Sequence, residues 1–106
     1  MDNNETLLRA IFATLSRGTF PPGKLHRIIA PQKNSSKNLA AYNACNGNTP
    51  QREIARKAKI DPGDLSRLLS RWIDAGVMIR IGRDQFPLHV YPLTREVLEQ
   101  EKEQHV

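Results

Sequence analysis

The chain has 106 residues, of which 39% are hydrophobic, and its 16 Lys/Arg exceed its 11 Asp/Glu to give a net charge of +5. This length favours one small domain, and the absence of a run of about 18 apolar residues argues against a membrane span. The N-terminus lacks the basic and apolar regions of a signal peptide, and a single cysteine excludes an intrachain disulfide. We therefore expect a cytoplasmic protein.

The positive charge is concentrated in the middle of the chain. Residues 17–93 hold 13 Lys/Arg and 5 Asp/Glu, a balance of +8, whereas residues 1–16 carry −1 and residues 94–106 carry −2. A basic segment of this size favours binding to the phosphates of a nucleic acid. The alternative is ordinary solubilising charge.

The first predicted element is a helix over residues 5–17. Its apolar residues recur at spacings of three and four and form one stripe: Leu7, Leu8, Ile11, Phe12 and Leu15. This stripe packs either on its own domain or against a second copy of the chain. Residues 18–35 follow as a connecting arm in which glycines and prolines break helices, and only one or two helical turns are expected within residues 24–30.

A second well-defined helix is predicted over residues 36–46, where Gly47 ends it and Ala41, Tyr42 and Cys45 supply its inner face. Two further helix starts follow at Thr49–Pro50 and Asp61–Pro62. In each, a capping side chain satisfies free backbone N–H groups and a proline occupies the first helical position. The first of these helices ends near Ala58, so the pair reads as a helix-turn-helix.

The helix that starts at Asp61 has two contrasting faces and ends before Gly76. Leu65, Leu68, Leu69 and Trp72 fall on one side at 100° per residue. The opposite side is small, hydroxyl-bearing and arginine-bearing, as a helix in a DNA major groove requires. The predicted reading residues are Gly63, Ser66, Arg67, Ser70 and Arg71.

A β-hairpin is predicted directly after this helix. Residues 77–81 are rich in β-branched side chains, residues 82–87 read as a turn, and residues 88–91 read as the returning strand. Arg80 and Arg83 lie on or near the tip. A hairpin in this position is typical of a DNA-contacting wing.

The segment "SRLLSRWIDAGVMIR" resembles the recognition helix and first wing strand of MarR-type winged helix-turn-helix transcriptional regulators. The resemblance covers roughly residues 36–91 and implies a DNA-binding dimer whose interface is built by helices outside the winged domain, here the apolar stripe of residues 7–15. It departs from the family at Lys59, where the turn between the helices usually has glycine. A left-handed non-glycine residue costs about 1 kcal/mol, so we expect a turn of different shape.

The helix over residues 50–58 presents basic side chains that suit the DNA backbone, since such contacts set register without reading sequence. Arg52 and Arg56 are four residues apart and share a face. The full predicted backbone set is Thr49, Gln51, Arg52, Arg56, Lys57 and Lys59. A plain solvated face is the alternative interpretation.

No motif for catalysis, a cofactor or a metal is present in the sequence. Cys45 falls on an inner helix face, where cysteine is usually structural rather than redox-active. The three histidines and the cysteine are scattered singly, whereas a metal site needs three or four clustered ligands. We therefore expect no enzyme, no cofactor and no metal, and no small-molecule effector is identified.

The sequence thus predicts a mainly α fold with a small β-hairpin wing. It has an N-terminal helix and arm (1–35), a winged helix-turn-helix domain (36–93) and a short polar C-terminal helix or tail (94–106). The predicted function is sequence-specific regulation of transcription by a homodimer on double-stranded DNA carrying an inverted repeat. Two alternatives stay open: a winged-helix protein-interaction module or complex subunit, and a non-specific DNA-binding architectural protein.

Overall fold

Five helices precede a two-stranded hairpin in the computed structural model, which describes residues 3–31 and 36–94. The helices are α1 (Asn3–Thr19), α2 (Pro22–Ile29), α3 (Ser36–Ala44), α4 (Gln51–Ala58) and α5 (Pro62–Asp74), and the strands are β1 (Met78–Ile81) and β2 (Phe86–His89). The predicted mainly helical class with a small hairpin is confirmed. A C-terminal helix was predicted over residues 94–106, and residues 95–106 lie outside the described part.

The core is built around the inward face of α5. Trp72 is buried, and its ring meets the ring of Tyr42 from α3 edge-to-face, with 5.8 Å between centroids and 88° between planes. The Tyr42 hydroxyl donates a buried hydrogen bond of 2.6 Å to the carbonyl oxygen of Tyr91. These contacts join α3, α5 and the segment after β2 in one cluster. Its other members include Leu25, Ile29, Ala41, Cys45, Ile54, Leu65, Leu69, Val77 and Met78.

The N-terminal arm predicted at residues 1–35 contributes to this same core. Leu25 and Ile29 of α2 are buried in it, and Phe20 packs against it. The Tyr91 hydroxyl donates a hydrogen bond to the carbonyl oxygen of Phe20. The arm and the helix-turn-helix region therefore pack together.

The hairpin begins its second strand two residues earlier than predicted. Phe86 and Pro87, expected in the turn, pair with Ile81 and Arg80, which leaves a loop of residues 82–85. Pro87 is tolerated because its carbonyl oxygen faces away from β1 and accepts a 2.9 Å hydrogen bond from the Gly47 N–H. A strand residue points its N–H and C=O to the same side, so the missing N–H removes nothing from the β1–β2 ladder.

The outer edge of β2 is covered by the chain between α3 and α4. Asn46 forms an isolated antiparallel bridge with Leu88, and the His89 N–H donates to the Cys45 carbonyl oxygen at 2.8 Å. This pairing ends α3 at Ala44, two residues before the predicted end. The connector thus covers the edge of β2 that faces away from β1.

Other helix boundaries differ as well: α1 begins at Asn3 and α2 spans Pro22–Ile29, whereas the predicted helices cover residues 5–17 and 24–30. Gly18 lies inside α1, which continues to Thr19, although glycine was expected to end the helix. At α4 the N-cap is Pro50 instead of Thr49, and no side chain caps the helix. The Thr49 hydroxyl donates instead to the Asn46 side-chain oxygen at 3.0 Å. Asp61 is confirmed as the cap of α5, because its carboxylate accepts from the Gly63 and Asp64 N–H groups.

The turn after α4 is left-handed despite its lysine. Lys59 has φ 57° and ψ 44°; its N–H donates to the Arg56 carbonyl oxygen and the Ile60 N–H donates to that of Ala55. This is the Schellman pattern that glycine usually completes. The expectation of a differently shaped turn was wrong, because these hydrogen bonds and the burial of Ala55 hold Lys59 in the conformation that costs about 1 kcal/mol.

Across the described ranges, no helix combines the length and the apolarity that crossing a bilayer would demand.

The two predicted caps should differ in their contribution to stability. Asp61→Ala removes the acceptor of two N–H groups and should lower the free energy of unfolding by about 0.5–2 kcal/mol. Thr49→Ala removes no cap, only the exposed hydrogen bond to Asn46, and should cost less than Asp61→Ala. Urea denaturation measures both. A loss in Thr49→Ala equal to or larger than that in Asp61→Ala would contradict this ranking.

Candidate nucleic-acid interface

The outward face of α5 is exposed along its whole length. Leu65, Leu69 and Trp72 are buried on the inner side, and Leu68 is half-buried at the edge. A helix that buries one stripe must present the residues about 180° away to solvent. All five predicted reading residues are exposed as a result: Gly63, Ser66, Arg67, Ser70 and Arg71.

The two arginines of this face are held differently. Arg67 forms an ion pair with Asp64, one turn earlier on the same helix. Asp61 caps the helix, so the first turn of α5 carries two engaged carboxylates. Within the described part of the chain, no carboxylate pairs with Arg71, whose guanidinium is exposed to solvent. One arginine is therefore pre-oriented and the other is available to an anion.

The basic side chains of α4 are also exposed. Arg52, Arg56 and Lys57 point away from the buried Ile54 and Ala55. Arg56 forms an ion pair with Glu53, and this hydrogen bond holds the pKa of the Glu53 carboxyl below its usual value. Of the remaining predicted backbone residues, Lys59 is exposed, whereas Thr49 and Gln51 are half-buried.

The hairpin is fastened to the start of α4 by Arg80. Its guanidinium donates to the Gln85 carbonyl oxygen at 3.2 Å and to the Gln51 side-chain oxygen at 3.3 Å. Arg80 and Gln51, both predicted to contact DNA, are therefore brought together. Arg83 lies exposed in the hairpin loop.

The N-terminal stripe divides into an exposed part and a packed part. Leu7, Leu8, Ile11 and Leu15 have exposed fractions of 59%, 62%, 46% and 68%. Phe12 instead is half-buried and packs against the core of its own chain. Four large apolar side chains on one helix thus face solvent in the single chain.

Arg9 of α1 makes a contact that the sequence pattern did not reveal. Its guanidinium donates to the carbonyl oxygens of Asn46 and Gly47 at 3.0 and 3.3 Å, and to the Asn48 side-chain oxygen at 3.5 Å. These partners are 37–39 residues away in sequence. The spacing of nearby residues cannot predict a contact over this distance in sequence. The only sign of it in the sequence is that an arginine lies beside the apolar stripe of α1. Arg9 fixes α1 to the connector between α3 and α4.

An open cleft of about 450 Å³ lies between the first turn of α3, the α4–α5 turn and one side of α5. Four cations line it: Lys37, Lys59, Arg67 and Arg71. The carboxylates of Asp61 and Asp64 line it as well, and Ile60 and Leu68 supply apolar surface. The cleft therefore shares residues with both the predicted reading face and the predicted backbone contacts.

Cys45 is fully buried on α3, as its predicted inner position requires. Its thiol donates to the Ala41 carbonyl oxygen at 3.2 Å, and burial raises the pKa of the thiol to about 12. A thiol that stays protonated is a poor nucleophile and a poor target for oxidants. Cys45 therefore acts as a packing residue. Across the described ranges, no group of three or more His, Cys, Asp or Glu is placed to hold a metal ion.

Comparison of the chain with protein-family models, with curated proteins and with solved structures finds no match.

His89, half-buried on β2, should make the fold sensitive to mild acid. Burial lowers its pKa below the usual 6.5, and a 3.0 Å hydrogen bond between its Nδ1 and the Tyr42 carbonyl oxygen only partly offsets this. Because the unfolded chain then binds the proton more tightly, stability is complete above pH 6.5 and falls as the pH drops towards the folded-state pKa.

We expect His89→Gln to reduce the decline in unfolding free energy between about pH 7.5 and pH 5.5, measured by urea denaturation at each pH. The reference is the wild type measured over the same pH range, and the quantity compared is the slope. An unchanged slope in His89→Gln would contradict the argument, whatever the absolute stability of the variant.

Proposed function

We propose that this protein is a sequence-specific, double-stranded-DNA-binding transcriptional regulator of the winged helix-turn-helix class, and that it acts as a homodimer. The observation that carries the proposal is the exposed face of α5. Two arginines and two serines stand there on a helix whose opposite side is anchored in the core. Short side chains let a helix approach base edges closely, and arginine binds guanine through two hydrogen bonds.

The order of the elements supports the winged-helix interpretation. A helix (α3), a bridging segment at Asn46, two further helices (α4 and α5) and a hairpin follow in sequence. The bridging segment pairs with the second hairpin strand at Leu88, so it lies along the outer edge of β2. This layout is consistent with a helix-turn-helix followed by a wing. The MarR-type resemblance of residues 66–80 points the same way.

The exposed polar residues of α4, α5 and the hairpin have different tasks in this function. Ser66, Arg67, Ser70 and Arg71 contact base edges or the phosphates beside them, and the ion pair with Asp64 orients Arg67 before DNA arrives. The exposed cations Arg52, Arg56, Lys57 and Lys59 contact phosphate. Arg83 extends from the wing towards the minor groove, while Arg80 and Gln51 hold the wing in place.

Selection of bound duplexes from a random-sequence DNA pool near physiological salt tests this function directly. We expect enrichment of an inverted repeat whose half-sites lie about one helical turn apart. Binding without enrichment would identify a non-specific architectural protein. No binding at all would refute the DNA proposal.

Two arginine variants then test the division of labour on the selected duplex and on a scrambled one. Arg67→Ala should flatten the preference for the selected duplex, losing about 1–3 kcal/mol of discrimination. Arg56→Ala should weaken binding to both duplexes by the same factor, because a phosphate contact carries no sequence information. Each residue forms one ion pair within its own helix, so the two variants are matched. The same effect of both variants on preference would refute the assignment.

The exposed stripe of α1 favours a protein partner, and we assign that partner as a second copy of the chain. The four side chains with exposed fractions of 46–68% occupy one helix face, and a contiguous apolar patch on a small protein is typical of an interaction site. The MarR-type resemblance makes pairing through such a helix the expected arrangement. A different protein partner would instead correspond to an interaction module.

A charged residue in this stripe should separate the dimer. Leu8→Glu places a carboxylate in the proposed apolar contact and should shift the sedimentation mass from dimer to monomer at micromolar concentration, since burying an unpaired charge is costly. Thr19→Glu adds the same charge at an exposed position at the end of α1 and should leave the dimer intact. A monomeric wild type, or a Leu8→Glu variant that stays dimeric, would refute this interface.

A further inference from the structure

The cleft beside α5 contains more positive charge than its own carboxylates neutralise. Asp61 accepts two backbone hydrogen bonds, of 2.9 and 3.3 Å, and Asp64 is paired with Arg67. Both carboxylates are therefore engaged within the first turns of α5. In the part of the chain that the structure describes, no carboxylate pairs with the other three cations of the cleft, which are Lys37, Lys59 and Arg71.

These three cations come from three different elements. Lys37 lies in the first turn of α3, Lys59 at the left-handed end of α4, and Arg71 on the third turn of α5. All three side chains are exposed, so no burial of charge has to be compensated. Like charges gathered at one cleft repel one another, and a bound anion relieves that repulsion. The fold thus holds three donors around one opening.

We infer that this cleft binds a single phosphodiester group of the DNA backbone, and that Lys37 contacts this phosphate from outside the helix-turn-helix. The inference rests on the proposed function. Arg71 lines the cleft from α5 and is also part of its exposed face, so the cleft opens beside the reading surface. A recognition helix in the major groove is flanked by phosphates, and phosphate oxygens accept charge-assisted hydrogen bonds from several donors at once.

The lining of the cleft is compatible with this assignment. Ile60 and Leu68 add apolar surface beside the cations, against which the adjoining sugar can pack. Free inorganic phosphate offers the same oxygens without the sugar. A DNA phosphodiester and free phosphate therefore present the same oxygens to the cleft, and the experiment below tests binding of each.

The test compares two lysine variants of the 106-residue chain. Lys37→Gln removes one charge from the cleft. Lys24→Gln removes one charge from an exposed lysine of α2 that does not line the cleft and whose Nζ lies 5.6 Å from the Phe20 ring centroid. The affinity of each variant and of the wild type is measured against salt concentration, on the selected duplex and on a scrambled duplex of equal length.

Lys37→Gln should weaken binding to both duplexes by the same factor and reduce the slope of log affinity against log salt concentration by about one. Lys24→Gln should keep the wild-type slope. If both variants keep the wild-type slope, or both reduce it equally, the inference is overturned, while DNA binding by the wild type leaves the proposed function standing. A wild type that binds no duplex would remove both.

The second arm titrates inorganic phosphate into the ¹⁵N-labelled protein and follows the amide signals of Lys37 and Lys59. We expect no saturable shift below tens of millimolar phosphate, because a single free anion lacks the neighbouring contacts of a duplex. Saturable binding that Lys37→Gln abolishes, together with unchanged DNA binding by that variant, would make the cleft a free-anion site and overturn the inference.

Discussion

Burial of the Trp72 side chain fixes the rotation of α5 about its own axis. The indole lies against the Tyr42 ring, and the Tyr42 hydroxyl is in turn tied to the Tyr91 backbone. Burying large apolar side chains is worth roughly 25 cal/mol per Å² of surface removed from water, so rotating α5 to hide its polar face would expose Trp72 at high cost. The direction in which Arg67 and Arg71 point is therefore a consequence of packing on the other side of the helix.

Regular spacing explains what the sequence could predict. The stripe of Leu65, Leu69 and Trp72 repeats with the period of a helix, so both faces of α5 were foreseen, and so was its cap at Asp61. The boundaries that differed were decided by contacts distant in sequence. Pro87 belongs to β2 because Gly47 pairs with its outer side, and the same connector stops α3 at Ala44.

In the candidate site, too, features set by local spacing could be predicted and contacts between distant residues could not. The exposure of the α5 arginines follows from a local pattern, whereas Arg80 meets Gln51 across 29 residues and Arg9 meets the α3–α4 connector across 37 or more. Polar contacts of this kind depend on how elements dock, and neither composition nor spacing records them. The place of Lys37 in the cleft could not be predicted either, because only the packing of α3 against α4 and α5 brings it to the same cleft as Arg71.

Lys59 shows how this chain sets two demands against each other at one position. Its left-handed backbone would be relaxed by glycine, which carries no penalty there. Glycine would also remove one of the cations that line the cleft. The residue that best suits the turn and the residue that best suits the proposed phosphate contact are therefore different, and the chain has the second. Lys59→Gly would gain stability only by removing a cation from the proposed phosphate site, a stability–activity trade-off at a single position.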